Sequence, residues 1–223
     1  MAESDVVVIT GANRGIGLEL ARHYAQEGCE VIGVCRQSSD DLVDVAAQVI
    51  DGVDVTTDAG IEKLKAGLAG KSIRLLINNA GLLQDEQLGS IDFDSIRTQM
   101  EINAYAPLRV AQALVPQIPE GGKIANITSR MGSIADNDSG GRYGYRASKA
   151  ALNAFGKSLA MDLKPKGIAV AQLHPGYVKT RMVNFGGLIS PEESARGLAE
   201  RIARLDLENT GSFWHSNGEE LPW

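Results

Sequence analysis

The sequence predicts an α/β protein in which helices cover both faces of one parallel β-sheet. Short runs of β-branched and aliphatic residues alternate with longer amphipathic stretches along the 223 residues, a pattern typical of such sheets. A glycine-rich loop directly follows the first of these runs, and there is no internal repeat or linker. About seven strands joined by helices in one chain indicate a doubly wound Rossmann-type fold.

Hydrophobic periodicity places the individual elements. Apolar residues that recur every three or four positions mark helices, and short β-branched runs bounded by turn residues mark strands. We expect Gly28 to end the first helix, and Ser190, Pro191 and Glu193 to form the capping motif that begins the last one. The predicted strands are Val6–Ile9, Val31–Cys35, Gln48–Val53, Ile73–Asn78, Lys123–Thr128, Ala169–His174 and Ser212–His215. The predicted helices are Arg14–Glu27, Asp40–Ala47, Ile61–Leu68, Asp92–Val115, Tyr145–Leu163 and Ser190–Arg204.

Length and charge restrict the architecture and the partners. We expect one domain over residues 1–223, with a cofactor-binding half at about 1–128 and a catalytic half at about 129–223. A chain of this size removes roughly 70% of its unfolded surface from water, which is enough for a substantial core. The net charge is −6, and no basic run could follow a phosphate backbone, so we expect no nucleic-acid partner.

The sequence favours a cytoplasmic protein without a membrane anchor. Met1–Asp5 is short, polar and acidic, unlike a signal or transit peptide, and no apolar run is long enough to cross a bilayer. Cys29 and Cys35 would lie about 20 Å apart along an extended strand, too far for a disulfide unless the chain turns back between them. Two reduced cysteines suit an intracellular chain. No metal-ligand spacing occurs among the histidines, which are His23, His174 and His215.

The glycine-rich loop predicts a dinucleotide site. Its glycines permit a tight turn and close approach of the backbone to a pyrophosphate, and the helix that follows offers free amides and a positive dipole end. A position between a strand and a helix makes a purely structural turn the weaker interpretation. The candidate cofactor-binding residues of the loop are Gly11, Asn13, Arg14, Gly15, Ile16 and Gly17.

The spacing of this loop is G-x-x-x-G-x-G, which resembles the signature of the short-chain dehydrogenase/reductase family. Further motifs extend that resemblance along nearly the whole chain. It implies that Asp54 and Val55 contact the adenine. It also implies that the segments Asn79-Ala80-Gly81 and Pro175-Gly176-Tyr177-Val178-Lys179-Thr180 flank the adenosine ribose and the nicotinamide carboxamide, with Pro175, Gly176, Val178 and Thr180 as cofactor contacts.

Two arginines favour NADPH over NADH. NAD-selective enzymes carry an acid about twenty residues past the glycine loop, but Cys35 and Arg36 stand there. An arginine can clamp a 2′-phosphate bidentately, and Arg14 in the loop can approach it from the other side. Basic residues at both positions accompany NADP(H) in the resembled family. The alternative is that both arginines merely face solvent.

A Tyr-x-x-x-Lys motif carries the proposed chemistry. Tyr145 and Lys149 are four residues apart, so on a helix they lie on one face. A tyrosine with a pKa near 10 is a poor acid–base at neutral pH, and a nearby ammonium lowers that pKa. The resemblance implies that Ser129 bonds the substrate oxygen and that Asn103 holds a water that relays protons through the lysine. A capping serine and a helix-surface asparagine are the ordinary alternatives.

These motifs together predict the reduction of aldehydes or ketones with hydride from NADPH and a proton from Tyr145. Two other functions stay open. One is an NADPH-binding signalling or regulatory protein, and the other is an alcohol dehydrogenase that works with NADP+ in the oxidative direction. Sequence does not decide the direction, because a catalyst lowers both barriers alike. Reduction of an activated C=C bond fits this set of residues less well.

Four stretches are similar to the branch of the family that contains the carbonyl reductase sniffer and a bacterial cell-contact signal. They are Met131–Ile134, Tyr143–Asn153, His174–Gly176 and the C-terminal Gly218–Trp223. The segment between Thr180 and Ser190, which forms the substrate lid in the family, is short here and predicts an open pocket. Candidate substrate contacts are Met131, Tyr177, Met182 and Phe185.

The two long helices would support a homodimer or homotetramer.

Overall fold

A computed structural model describes residues 5–223. All but the last residue of the N-terminal segment Met1–Asp5 therefore lies outside the described residues. One sheet of seven strands runs in the order β3-β2-β1-β4-β5-β6-β7, and every neighbouring pair is parallel. The strands are β1 Val6–Thr10, β2 Glu30–Val34, β3 Gln48–Ile50, β4 Ile73–Asn78, β5 Lys123–Ile127, β6 Ala169–His174 and β7 Phe213–His215. The predicted doubly wound fold is confirmed.

Within residues 5–223, six of the seven α-helices cover the two faces of this sheet, and α4 packs on α6. One face packs against α3, α5 and α6, and the other against α1, α2 and α7, which gives two separate apolar cores. Strand residues are buried on both faces, as parallel sheets require. The helices are α1 Gly15–Gln26, α2 Asp40–Val45, α3 Asp58–Gly67, α4 Phe93–Met100, α5 Ala106–Leu114, α6 Tyr143–Leu163 and α7 Pro191–Ala203.

The predicted boundaries differ from the observed ones mainly where a cap or a turn intervenes. Helix α3 begins three residues before the predicted Ile61, because Thr57 caps it by accepting a hydrogen bond from the Gly60 N–H. Helix α6 begins at Tyr143 rather than Tyr145. The predicted helix Asp92–Val115 is one helical run, but its middle, Glu101–Tyr105, is a π-helical turn.

Three side-chain amides cross the centre of the sheet in a row. Asn78 on β4 donates to Asn126 on β5 at 2.9 Å, and Asn126 donates to Gln172 on β6 at 2.8 Å. Asn78 also donates to the main-chain oxygen of Pro107 on α5 at 3.4 Å. Because buried amides need such partners, this row fixes the register of the strands beneath the candidate site.

Both cysteines carry free thiols in the structure. None of the helices within residues 5–223 is long and apolar enough to traverse a lipid bilayer.

Candidate active site

The predicted functional residues gather at the carboxyl ends of the central strands. The strand order reverses between β1 and β4, and ligands of doubly wound sheets bind in the crevice at that point. The glycine loop follows β1, the Asn79-Ala80-Gly81 segment follows β4, Ser129 follows β5 and Pro175 follows β6. The topology therefore brings four sequence segments to one edge of the sheet.

Asn79 joins two of these segments directly. Its side-chain nitrogen donates to the carbonyl oxygens of Thr10 and Gly11, each at 3.1 Å. The Thr10 hydroxyl in turn accepts the N–H groups of Asn79 and Ala80. A Cβ at Gly17 would lie 2.4 Å from the Gly11 oxygen, and Gly11 itself has a φ of +66°. Only glycine allows this loop to close so tightly.

The first helix presents an uncapped N-terminus to the crevice. Arg14 occupies the cap position of α1 without a side-chain cap bond, and the first turn carries no acid. Helices α2, α3, α4 and α7, by contrast, each begin with a side-chain cap and carry an acid in the first turn. Unpaired amides and a positive dipole end suit a phosphate group. The loop therefore fits the pyrophosphate of a dinucleotide.

The two candidate phosphate-binding arginines are exposed near this helix. Neither Arg14 nor Arg36 makes a salt bridge within residues 5–223. Asn13 donates to the Gln37 oxygen at 2.9 Å and accepts from the Ser39 hydroxyl at 2.9 Å, so the loop and the segment after β2 are held together. Both guanidinium groups are thus available to an anion at this end of the crevice.

Asp54 and Val55 differ in how they are placed. The Asp54 carboxylate accepts hydrogen bonds from the hydroxyl and the N–H of Thr56, which lower its pKa, and the charge of Arg36 adds to that effect. Val55 packs on the apolar core next to α3 and α5. The carboxylate is therefore held as an acceptor near the charge of Arg36, while Val55 packs on the core and its place in an adenine pocket stays a prediction.

Tyr145 and Lys149 are buried side by side on α6. Their residues are 7% and 4% exposed, and the Lys149 Nζ lies 5.8 Å from the centre of the Tyr145 ring. The Lys149 ammonium donates to the Ile127 oxygen at the end of β5, at 2.8 Å. Burial lowers the pKa of Lys149 to about 8. Two ionisable groups therefore meet in a dry site.

The pKa of Tyr145 departs from the expectation for this pair. Burial raises it to about 12, while a hydrogen bond from Ser129 and the positive charge of Arg142 act in the opposite direction. Desolvation thus outweighs the groups that favour the phenolate, and Lys149 is not among the groups that lower this pKa. Arg142, which precedes α6, was not among the predicted site residues because neither motif nor periodicity marks it.

Asn103 lies in the π turn between α4 and α5, and the sequence supplies the reason for that turn. Residue 107 is proline, which has no N–H to bond the Asn103 carbonyl and sterically opposes an α-helical continuation. The Asn103 side chain donates to the Leu82 oxygen at 2.7 Å and to the Ser148 hydroxyl at 3.0 Å, and accepts from the Leu82 N–H at 2.8 Å. A Cβ on Gly81 would lie 3.3 Å from the Asn103 Oδ1 and 3.7 Å from the Lys149 Nζ.

Ser129 caps the short turn Arg130–Gly132 after β5. Its hydroxyl oxygen accepts from the Met131 N–H at 3.1 Å, and the residue is 6% exposed. The hydroxyl proton is consequently not needed for the cap and can be donated elsewhere. Asn103, Ser129, Tyr145 and Lys149 thus occupy one compact region, as the sequence predicts.

The predicted substrate residues are partly or largely exposed, and their contact with a substrate stays a prediction. Tyr177, Met182 and Phe185 are 50%, 44% and 64% exposed, and Phe185 has a φ of +59°. Met131 is half-buried, with its sulfur 3.8 Å from the Arg142 guanidinium. The segment after β6 also reaches the glycine loop, since a Cβ on Gly15 would meet the Thr180 methyl group at 3.4 Å.

His174 is a strand-end residue, as expected, and it packs against His215. Their rings meet edge to face with centroids 4.7 Å apart. Burial lowers the pKa of His174 to about 3, and the charges of His215, Arg130 and Lys149 add to the effect. The imidazole is therefore neutral at physiological pH.

Comparison with known proteins agrees with this geometry. A family model described as short chain dehydrogenase matches residues 5–186. The chain belongs to this family. It is 41% identical to the 1-hydroxy-2-glutathionyl-2-methyl-3-butene dehydrogenase of Rhodococcus sp. (strain AD45), over 97% of this chain and 99% of that protein. It is also 41% identical to the C-signal of Myxococcus xanthus, over 68% of this chain and 93% of that protein.

Solved structures of carbonyl reductases have the same fold. The carbonyl reductase Sniffer of D. melanogaster superposes with a TM-score of 0.90 at 29% identity, over 99% of this chain and 100% of that chain. The NADPH-bound carbonyl reductase from chicken fatty liver gives 0.89 at 29% identity with the same coverage. The predicted resemblance to the sniffer and cell-contact-signal branch is confirmed.

The buried charge of Lys149 should lower the stability of the folded protein, although function requires this lysine. Lys149 has a folded pKa near 8 against about 10.5 when unfolded, so burial of its charge destabilises the fold fully below pH 8 and progressively less between pH 8 and 10.5. We expect Lys149→Met to abolish turnover and to raise the Tm of the cofactor-free protein at pH 7.

Thermal unfolding across pH 6–10.5 measures this effect. The Tm difference between Lys149→Met and the wild type should shrink as the pH rises through 8. Lys164→Met, which removes an exposed lysine just after the same helix, should change the Tm little. A Tm difference that grows with pH, or an equal gain in the control, would contradict the burial argument.

Proposed function

We propose that this protein reduces aldehydes or ketones to alcohols with NADPH. The observation that carries the proposal is the buried Tyr145–Lys149 pair, with the buried Ser129 at the end of the adjoining strand β5, at the edge of the sheet where the uncapped α1 begins. A proton donor, a hydroxyl that can polarise a carbonyl and an anion-binding helix end are the parts that this reaction requires. NADPH, when bound, supplies the hydride.

The chain's own residues handle the proton. The Tyr145 hydroxyl donates its proton to the carbonyl oxygen as negative charge develops there, and the Ser129 hydroxyl donates a hydrogen bond to the same oxygen. The Lys149 ammonium stabilises the resulting phenolate. Asn103 holds the Leu82 backbone and the Ser148 hydroxyl next to this pair, and we assign it the proton relay through Lys149.

The cofactor would be held by the glycine loop and by the segments that follow four strands. Arg14 and Arg36 would clamp the 2′-phosphate, and the amides at the start of α1 would bind the pyrophosphate. The remaining assigned contacts are Gly11, Asn13, Gly15, Ile16, Gly17, Asp54, Val55, Asn79, Ala80, Gly81, Tyr145, Lys149, Pro175, Gly176, Val178 and Thr180, with Lys149 holding the nicotinamide ribose.

The exposure of the predicted substrate residues favours varied, partly apolar substrates. Tyr177, Met182 and Phe185 expose apolar surface on the segment after β6, and we propose that with Met131 they contact bulky or aromatic groups attached to the carbonyl. The Rhodococcus relative is a dehydrogenase, which favours the oxidative direction as a second function on the same residues. The Myxococcus relative is called a signal, so we keep an NADPH-dependent signalling role as the alternative without turnover.

We also propose a cytoplasmic, single-domain protein that pairs through its long helices. Phe93, Tyr105 and Met161, which belong to α4, the π turn and α6, are 65%, 41% and 48% exposed. Large exposed apolar groups on those helices support a homodimer or homotetramer.

The first test measures NADPH oxidation over a panel of aldehydes and ketones, together with NADP+ reduction over the matching alcohols. We expect turnover by the wild type and a loss of at least about 1,000-fold in Tyr145→Phe, because the proton donor is removed while the ring remains. Tyr143→Phe is the matched control and should retain activity. NADPH binding without turnover of any substrate would favour the signalling alternative.

Cofactor selectivity has a separate test. We expect Arg36→Ala to raise the KM for NADPH about 10- to 100-fold and to leave that for NADH nearly unchanged, because only the 2′-phosphate loses its charge-assisted hydrogen bonds. Arg204→Ala, at the end of α7 on the exposed surface, is the control. Equal losses with both cofactors would show that Arg36 supports the fold rather than the phosphate.

A further inference from the structure

We propose that Glu86, which precedes α4 in the loop after β4, is a positioning residue for Tyr145. This inference rests on the proposed function, since it concerns how the proton donor is held. Glu86 is 2% exposed although it carries a carboxylate. It makes no salt bridge within residues 5–223. Burial of a charge without a counter-ion destabilises the fold unless hydrogen bonds satisfy the charge. A functional role would explain why such a residue is present.

The carboxylate binds the start of the catalytic helix. One oxygen, Oε2, accepts the Gly144 N–H at 3.0 Å, one residue before Tyr145. The main-chain oxygen of Glu86 accepts the Arg142 N–H at 2.8 Å. Arg142, the cap residue of α6, provides no side-chain cap itself. Glu86 therefore acts as the N-terminal cap of α6 from another part of the chain, where the helix dipole favours a negative charge.

The other oxygen anchors Glu86 to α4. Oε1 accepts the Ser95 hydroxyl and the Gln99 amide nitrogen, each at 2.5 Å. The orientation of that amide is fixed, because the Gln99 oxygen accepts the Gln84 N–H at 2.9 Å. The carboxylate is thus surrounded by donors, which an acid in its ionised form satisfies and a neutral amide does not.

The packing around this carboxylate leaves Tyr145 little freedom. A Cβ on Gly144 would lie 2.5 Å from the Gln99 Nε2 and 3.0 Å from the Glu86 Oε1, so the two helices meet at a glycine. Arg142 is held at a φ of +49°, a conformation that a residue with a side chain adopts only when its surroundings impose it. The geometry points to Glu86 as the group that imposes this backbone conformation on Arg142. Glu86 thereby fixes the position of the Tyr145 hydroxyl.

Loss of this anchor should affect proton donation and not cofactor binding. The glycine loop and the two arginines lie on other segments and make no hydrogen bond to Glu86. A displacement of a catalytic group by about 1 Å can cost about 100-fold in rate. We therefore expect kcat to fall in Glu86→Gln while the affinity for NADPH is retained.

The experiment measures kcat per NADPH-binding site, with binding sites counted by fluorescence titration with NADPH. We expect Glu86→Gln to lower this kcat about 10- to 100-fold with a Kd for NADPH within about twofold of the wild type. Glu62→Gln makes the same change on an exposed glutamate of α3 and should be indistinguishable from the wild type. Unchanged kcat per site in Glu86→Gln overturns the proposal.

A double-mutant cycle separates positioning from general damage. If Glu86 acts through Tyr145, the double variant Glu86→Gln/Tyr145→Phe should be as slow as Tyr145→Phe alone. Losses that multiply would show a structural effect independent of Tyr145 and would overturn the proposal. Full turnover in Tyr145→Phe would instead refute the proposed function itself, whatever Glu86→Gln does.

Ser95→Ala provides a milder perturbation if Glu86→Gln does not fold. It removes one hydroxyl donor from the carboxylate at a partly buried position. We expect a loss of about 2- to 10-fold in kcat per site, again absent in the Tyr145→Phe background. No change of kcat in Ser95→Ala, in a sample that binds NADPH fully, would contradict the proposal on its own.

Discussion

The desolvation of two ionisable groups on one helix face is the constraint around which this site is built. Tyr145 and Lys149 lose water together, which raises the pKa of the tyrosine to about 12 and lowers that of the lysine to about 8. Among residues 5–223, only the Ile127 carbonyl, 2.8 Å away, accepts a hydrogen bond from the ammonium. The strand that carries this carbonyl must therefore be fixed relative to α6.

The rest of the fold supplies that rigidity. The amide row Asn78–Asn126–Gln172 holds β4, β5 and β6 in register, and Asn78 extends the row to Pro107 after the π turn. Asn79 ties the segment after β4 to the glycine loop. Catalytic and cofactor-binding segments thus share one network of buried polar groups. A shift in one strand would therefore displace both kinds of segment.

The sequence predicted the strand–helix order well because buried parallel strands read as continuous apolar runs and the glycine loop and Tyr-x-x-x-Lys have fixed spacings. It did not predict the π turn, although Pro107, four residues after Asn103, was its visible signal. Glu86 and Arg142 have no local signature, because their importance depends on contacts between segments far apart in the chain. The division into two halves near residue 128 stays a prediction.

The predicted lowering of the Tyr145 pKa by Lys149 shows another limit of prediction from the sequence. Helical spacing places the two side chains together but says nothing about how much water they lose, and burial is the larger effect in the protein without cofactor. A phenol with so high a pKa stays protonated at neutral pH but is a weak proton donor, because an acid works best when its pKa lies near the working pH. An additional positive charge beside the ring would be required to bring its pKa towards neutrality.

The most direct measurement is an ultraviolet titration of the Tyr145 phenol, taken as the difference between the wild type and Tyr145→Phe, with and without NADP+. We expect a pKa near 12 without added NADP+ and a markedly lower pKa when the positively charged NADP+ nicotinamide is bound. The same pKa in both states, or a value already near neutrality without cofactor, would contradict the account.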